Sequence, residues 1–136
     1  MKGTRAVIFL LTFLPSISWA ADNYKCKVIE AKDLEKKGLL EVTPFSKLIA
    51  GQEFVVERAT GKIIGGTGFS NHNGEFGQPK VIDKGSKEQS YKALTIFGPN
   101  VAVAYLQIEE YLEQKEKPFM LFSNSNSIIN GVCVHF

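Results

Sequence analysis

Cysteine and histidine are the residue types most often found in metal sites and nucleophilic centres, and this chain of 136 residues contains two of each. The cysteines, Cys26 and Cys133, lack the Cys-x-x-Cys spacing of redox-active and metal-binding thiols. An even cysteine count in an exported chain is most simply a disulfide. We therefore predict a Cys26–Cys133 bond, which closes a loop of roughly 100 residues and stabilises the fold by about 4 to 5 kcal/mol in the chain-entropy model.

The histidines, His72 and His135, belong to none of the sequence spacings typical of transition-metal ligands. His72 and Glu75 could supply two ligands from one segment, and Asp83 could supply a third. A histidine in a polar loop is more often solvated, and the penultimate His135 is best placed as an outward-facing or rim side chain. The sequence therefore predicts no metal and no cofactor.

A serine nucleophile would need a base and an orienting acid close to it. Ser70 precedes His72 by two residues, but the surrounding GFSNHNG differs from the Gly-x-Ser-x-Gly pattern of hydrolases. We therefore expect the protein not to be an enzyme. The alternative is a small periplasmic hydrolase with a buried polar cluster around His72.

One loop combines aromatic and polar residues in a way that favours binding. Segment 65–78 reads GGTGFSNHNGEFGQ and is too rich in glycine to form a regular element. Aromatic anchors beside adaptable polar residues are typical of recognition surfaces. In the alternative interpretation both rings fold back over the mouth of the domain as a lid. The candidate binding residues are Phe69, Asn71, His72, Asn73, Glu75 and Phe76.

Short alternating and apolar runs between turn residues predict the elements that position this loop. The first strand is predicted at 24–31, and a short helical turn at 45–50. Segment 101–110 fits either a helix or a strand, and we favour the strand. Phe119 to Phe122 is apolar on both faces, as in a strand that is covered on both sides. One hairpin is predicted to pair 53–58 with 62–65, and a second to pair 80–83 with 89–97. The closing strand is predicted at 128–136.

These elements predict an all-β fold class, with one short helix as an option. About 7–8 short strands with frequent turn signals favour a small antiparallel β-barrel or sandwich. The predicted disulfide makes the N- and C-terminal strands neighbours. Residues 21–136 show no linker or repeat, so they are predicted to form a single exported β domain.

Residues 1–20 have the pattern of a signal peptide. Lys2 and Arg5 precede an apolar run, and Ser18-Trp19-Ala20 places small residues where a signal peptidase cleaves. The apolar run is shorter than the roughly 20 residues needed to span a bilayer. The predicted location is the periplasm or the secreted fraction.

Charge composition limits the partners. Loss of Lys2 and Arg5 with the leader lowers the 16 Lys and Arg residues to 14, equal to the 14 Asp and Glu residues. Nucleic acids and anionic membranes are bound largely through an excess of basic residues. We therefore expect a protein partner or a small apolar ligand, no nucleic acid, and no stable membrane insertion after the leader is removed.

The resulting functional hypothesis is a soluble exported binding or interaction module without enzymatic activity. Its predicted architecture resembles that of small exported β-barrel proteins such as lysozyme inhibitors and lipocalin-like carriers. This resemblance of class implies an inhibitor-like role, or alternatively a carrier of a small apolar ligand inside the barrel.

Overall fold

The computed structural model of the chain describes residues 22–71, 77–99, 102–123 and 126–136. The predicted signal peptide, residues 1–20, lies outside the described residues. The described part contains nine strands and one short helix. In chain order the elements are β1 (Tyr24–Leu34), β2 (Leu40–Glu41), α1 (Pro44–Ile49), β3 (Glu53–Val56), β4 (Ile63–Ile64), β5 (Gly77–Lys84), β6 (Tyr91–Phe97), β7 (Ala102–Ile108), β8 (Lys117–Phe122) and β9 (Ser127–His135).

The strands form one antiparallel sheet that curls into a half-barrel. Its order is β4-β3-β1-β9-β8-β7-β6-β5, and the short β2 pairs with β1. The predicted all-β class, the short helix and the adjacency of the terminal strands are confirmed. In the described part, no backbone ladder joins the edge strands β4 and β5. We call the gap between these two strands the seam.

One face of the sheet is buried and forms the inner face of the half-barrel. Alternate residues of a strand point to opposite faces, and β6 to β9 follow this alternation closely. Phe54 packs edge-on against Phe119 with ring centroids 5.2 Å apart. The largest fully buried side chains are those of Tyr24, Tyr91, Phe54, Ile49, Ile63, Leu106, Ile108, Leu121, Ile129, Val28, Val56 and Thr95.

The pairing of β1 with β9 joins the two ends of the chain. Cys26 lies directly opposite Cys133 in the antiparallel register, and Tyr24 lies opposite His135. The predicted Cys26–Cys133 disulfide is present and closes a sequence separation of 107 residues. The covalent bond therefore fixes the same register that the backbone hydrogen bonds specify.

A β-bulge interrupts this ladder beside Gly131. The register between β1 and β9 shifts between Val28 and Glu30, so β1 carries one extra residue, Ile29. A Cβ atom added at Gly131 would lie 2.0 Å from the backbone oxygen of Lys27. Only glycine therefore allows the two backbones to approach this closely.

The helix α1 begins with a complete capping box. The backbone N–H of Ser46 donates to Thr43 Oγ1 at 3.1 Å, and the backbone N–H of Thr43 donates to Ser46 Oγ at 2.8 Å. Pro44 occupies the first turn, where its missing N–H costs nothing. Because α1 has six residues, the described part contains no helix of the length and apolar character that a bilayer crossing requires.

One predicted strand is confirmed with shorter bounds, and another strand begins earlier than predicted. The ambiguous segment 101–110 is a strand over Ala102–Ile108, as predicted. β5 begins at Gly77, inside the segment predicted to be a loop. Gly77 lies opposite Phe97, and a Cβ atom there would lie 2.7 Å from that ring. Gly77 therefore leaves room for the Phe97 ring within a strand. The many glycines of segment 65–78 had instead predicted a loop over this position.

Substitution of Gly131 by Ala should destabilise the fold by about 3 kcal/mol or more, because the clash involves backbone that cannot move without breaking the ladder. The free energy of unfolding measured by urea denaturation checks this. Gly98→Ala is the control, since a Cβ atom at Gly98 meets nothing within 4 Å. Equal stabilities of the two variants would contradict the proposed close approach.

Removal of the disulfide in a Cys26→Ala/Cys133→Ala variant should lower the free energy of unfolding by about 4 kcal/mol, because the unfolded chain regains the freedom of a long loop. Chemical denaturation of the oxidised wild type, the reduced wild type and the variant provides the comparison. The reduced wild type should resemble the variant. A variant as stable as the oxidised protein would show that this bond does not constrain the chain.

Candidate functional site

The structure describes two of the six predicted binding residues. Phe69 and Asn71 are both buried. His72, Asn73, Glu75 and Phe76 lie within 72–76, outside the described residues. The predicted role of all six residues in binding stays a prediction, whereas the packing of Phe69 and Asn71 is visible.

The ring of Phe69 belongs to the core. It packs edge-on against Phe54 with ring centroids 5.0 Å apart. It also covers Gly66 so closely that a Cβ atom there would lie 2.2 Å from the ring. Gly66 has a φ of 78°, which an L side chain rarely adopts. Phe69, one of the two aromatic residues of the loop, thus folds back onto the half-barrel. The lid interpretation expects this of both rings.

Asn71 crosses the seam with its side-chain amide. Its Nδ2 donates to the backbone oxygen of Gly61 at 3.0 Å and to Thr95 Oγ1 on β6 at 2.9 Å. Its Oδ1 accepts a hydrogen bond from the backbone N–H of Ile63 on β4. One buried side chain therefore ties the β3–β4 turn to the opposite end of the sheet.

Arg58 closes the seam at a second point. Its Nε donates to the backbone oxygen of Lys84 at 3.1 Å, and its Nη2 donates to the same oxygen at 2.9 Å. Its Nη1 forms a salt bridge with Asp22 at 2.8 Å. The guanidinium also lies over the Tyr24 ring, 5.6 Å from its centroid. Every nitrogen of this guanidinium therefore already has a partner within the chain.

A polar cluster surrounds the paired ends of β1 and β9. His135 Nδ1 lies 2.7 Å from Asp22 Oδ1, and its Nε2 lies 2.9 Å from Glu110 Oε1. Tyr24 donates from its hydroxyl to Glu110 Oε2 at 3.0 Å. Tyr91 donates from its hydroxyl to the backbone oxygen of Arg58 at 3.2 Å. The sequence predicted an outward-facing or rim side chain for His135 and did not indicate that these residues lie together.

The tyrosines of this cluster are held in the neutral form. Burial, helped by the nearby Glu110 carboxylate, raises the pKa of Tyr24 far above its ordinary value. Burial raises the pKa of Tyr91 to about 12. At neutral pH both hydroxyls are therefore hydrogen-bond donors and not bases. Neither hydroxyl is therefore ionised to a nucleophile at neutral pH.

A surface pocket of about 280 Å³ adjoins Arg58. Pockets that bury a small-molecule ligand usually measure about 300 to 1,000 Å³. The pocket is therefore small, and each nitrogen of the Arg58 guanidinium beside it already donates a hydrogen bond within the chain. Its lining residues are Asp22, Asn23, Arg58, Ala59 and Lys84.

The neighbouring carboxylates Glu109 and Glu110 have separate partners. Glu109 accepts hydrogen bonds from Ser90 Oγ at 2.9 Å and from Gln107 Nε2 at 2.6 Å. Burial opposes ionisation of Glu109, but the hydrogen bonds from Gln107, Ser90 and Tyr111 outweigh it and lower the pKa of this carboxyl. Glu110 instead faces Tyr24 and His135. The two groups therefore do not flank one substrate position.

The outer face of the sheet carries a continuous line of apolar side chains. Directly opposed residues on six neighbouring strands form what we call the outer row: Lys80, Leu94, Tyr105, Phe122, Ile128 and Lys32. Its four central residues are apolar or aromatic, and its two ends are lysines. Phe122 is 40% exposed and the other three central residues are half-buried.

The apolar surface extends to both sides of the outer row. Ile96 lies opposite Val103 on one side, and both are exposed. Met120 is exposed on the other side. The sequence favoured a strand covered on both faces at β8, but no described residue covers the outer face at Met120 and Phe122. That expectation is wrong, because β8 has one face in the core and an outer face that is apolar but uncovered.

Substitution of Asn71 tests its structural role at the seam. Asn71→Ala should lower the free energy of unfolding by about 2 to 4 kcal/mol, because three hydrogen bonds in a buried site are lost. Asn71→Asp should also destabilise, since a carboxylate cannot donate to Gly61 and Thr95 as the amide does. Thermal and urea denaturation measure both effects. Ser70→Ala is the control on the adjacent, more exposed side chain. Wild-type stability of both Asn71 variants would contradict the bridging role.

The described residues contain no group of three His, Cys, Asp or Glu side chains arranged to hold a metal ion. The polar cluster of this part is hydrogen-bonded within the chain, whereas the outer row is uncovered. Comparison of the chain with protein-family models, with curated proteins and with solved structures found no match.

Proposed function

We propose that the protein is an exported binding module without enzymatic activity, and that it engages a protein partner through the outer face of β6 to β9. The observation that carries this proposal is the outer row. Four aligned apolar or aromatic side chains lie on solvent-facing positions of adjacent strands. A contiguous apolar surface of this kind is typical of an interaction site.

The packing of the inner face supports a binding module over a carrier. A carrier of an apolar ligand needs open space between the curled strands. The inner face is instead occupied by fully buried side chains, including those of Tyr24, Tyr91 and Leu106. The apolar surface that remains accessible is on the outside.

The polar cluster supports a structural role over catalysis. Tyr24 and Tyr91 have raised pKa values, so neither acts as a base near neutral pH. Arg58 donates its hydrogen bonds to Asp22 and to the backbone of β5. These contacts stabilise the seam and the chain ends, and they leave no described group poised for acyl transfer.

Two features support export. Residues 1–20 carry the signal-peptide pattern, and the disulfide belongs to chains that fold in an oxidising compartment. Periplasmic or secreted residence is therefore part of the proposal. An exported domain that exposes an apolar row would gain stability from a partner that covers it.

Site-specific photo-crosslinking tests the location of the binding face. A benzophenone-bearing phenylalanine analogue placed at Phe122 should yield a discrete adduct in the exported protein, because that ring lies at the centre of the proposed contact. Phe45 on α1 is a matched control, since the two rings are 40% and 39% exposed. Mass spectrometry of the irradiated material identifies the adducts.

A second variant links the adduct to the outer row. Leu94→Ser should reduce the Phe122 adduct while leaving the folded state intact by circular dichroism. An adduct at Phe45 alone, or at neither position, would refute the proposed face. A small apolar molecule retained in native mass spectrometry and unaffected by Leu94→Ser would instead support the carrier.

A further inference from the structure

We infer that the partner contributes an extended segment with apolar side chains at its centre and an acidic residue at each end, lying along the outer row across the strands. This inference rests on the proposed function and specifies the chemistry of the partner. The argument depends on the two lysines that terminate the row, Lys80 on β5 and Lys32 on β1.

The length of the row follows from its register. Neighbouring strands lie about 4.8 Å apart, so five strand-to-strand steps separate Lys80 from Lys32 by about 24 Å along the sheet. An extended chain rises about 3.3 Å per residue, with alternate side chains on one face. At least eight residue steps, bent around the curved sheet, therefore cover the row and present a contact residue at every second position.

The lysine ends are available to an acidic partner. Lys80 is exposed and forms no salt bridge with the described residues. Lys32 Nζ lies 3.1 Å from Glu30 Oε1, but both side chains are substantially exposed. Exposed ion pairs contribute about 0 to 1 kcal/mol, so a carboxylate from a partner competes readily for this lysine.

A polar row borders one side of the outer row and gives the contact a direction. Lys92, Gln107, Met120, Asn130 and Glu30 oppose one another across β6, β7, β8, β9 and β1. Only Met120 among them is apolar. A segment that follows the outer row across the strands thus keeps its apolar residues on apolar partners. A segment lying along β6, β7 or β9 would instead meet the polar neighbour of the row on that strand, which is Lys92, Gln107 or Asn130.

The charge pattern disfavours a second copy of the chain as the occupant. In a two-fold pairing of outer row on outer row, each lysine end lies on the same side as a lysine of the other copy and meets no acidic end. Because the row lies on the convex face of a half-barrel, two paired rows also diverge toward these ends. A partner segment with acidic ends that bends around the sheet gives each lysine an opposite charge.

The same pattern disfavours a lipid surface. Anionic membranes attract clusters of about four to eight basic residues. The outer row has two lysines about 24 Å apart, and Glu30 lies beside one of them. The central residues form a narrow line between these charges, which matches a peptide segment.

Synthetic peptides provide the test. The probe is the acetylated nonapeptide Glu-Thr-Leu-Thr-Phe-Thr-Leu-Thr-Glu, whose Glu, Leu and Phe residues share one face in an extended chain. Its comparison peptide carries Lys in place of both Glu residues. Fluorescence anisotropy with residues 21–136 should show the acidic peptide binding about tenfold more tightly at low salt, because the lysine ends repel the basic peptide.

Charge reversal in the protein locates the contact. A Lys80→Glu/Lys32→Glu variant should reverse the preference between the two peptides. Lys87→Glu is the matched control, because Lys87 is an exposed lysine in the β5–β6 turn and lies off the outer row. It should leave the preference unchanged. Thermal denaturation of each variant establishes that the fold persists.

The outcomes separate this inference from the proposed function. Equal binding of the two peptides, or no binding of either, refutes the acidic-ended partner but leaves a Phe122 crosslink to support the binding face. A dimer in analytical ultracentrifugation that Phe122→Ser abolishes would show that the occupant is a second copy. Binding to vesicles containing phosphatidylserine that is lost in the charge-reversed variant would show that it is a membrane. Either of these results overturns the inference.

Discussion

The antiparallel pairing of β1 with β9 is the constraint on which the rest of the structure depends. It brings together the two ends of the described chain, and Cys26 and Cys133 bond across directly opposed positions. The strands between them must then form a single curled sheet whose other ends, β4 and β5, approach from opposite directions. The bulge at Ile29 and the bare backbone at Gly131 adjust the pairing locally.

Side chains complete what the backbone ladder leaves open. Asn71 and Arg58 cross the seam at two points, each by hydrogen bonds to backbone groups of the facing elements. The polar cluster of Tyr24, Glu110 and His135 then packs against Arg58 at the chain ends. Among the described residues, the inner core, the seam and the polar cluster find their contacts within the chain, whereas the outer row is exposed, and for this reason we propose it as the binding face.

Local pattern predicted the strands well because alternation and turn residues are properties of short segments. The disulfide then predicted which strands are neighbours. The disulfide also indicated a second pair of neighbours. Tyr24 precedes Cys26 by two residues and His135 follows Cys133 by two, so they lie opposite each other in an antiparallel pair. Arg58 and Glu110 could not be placed in this way, because only the curvature of the whole sheet brings them to the cluster. The outer row needs the register of six strands, which composition does not supply.

An open sheet normally exposes two edges that can recruit strands from other molecules. In this half-barrel β4 and β5 face each other across the seam, β4 is only two residues long, and β5 carries Pro79 beside Lys80. Proline and lysine on an edge both oppose the addition of a foreign strand. The same arrangement that closes the domain therefore also opposes edge-to-edge aggregation.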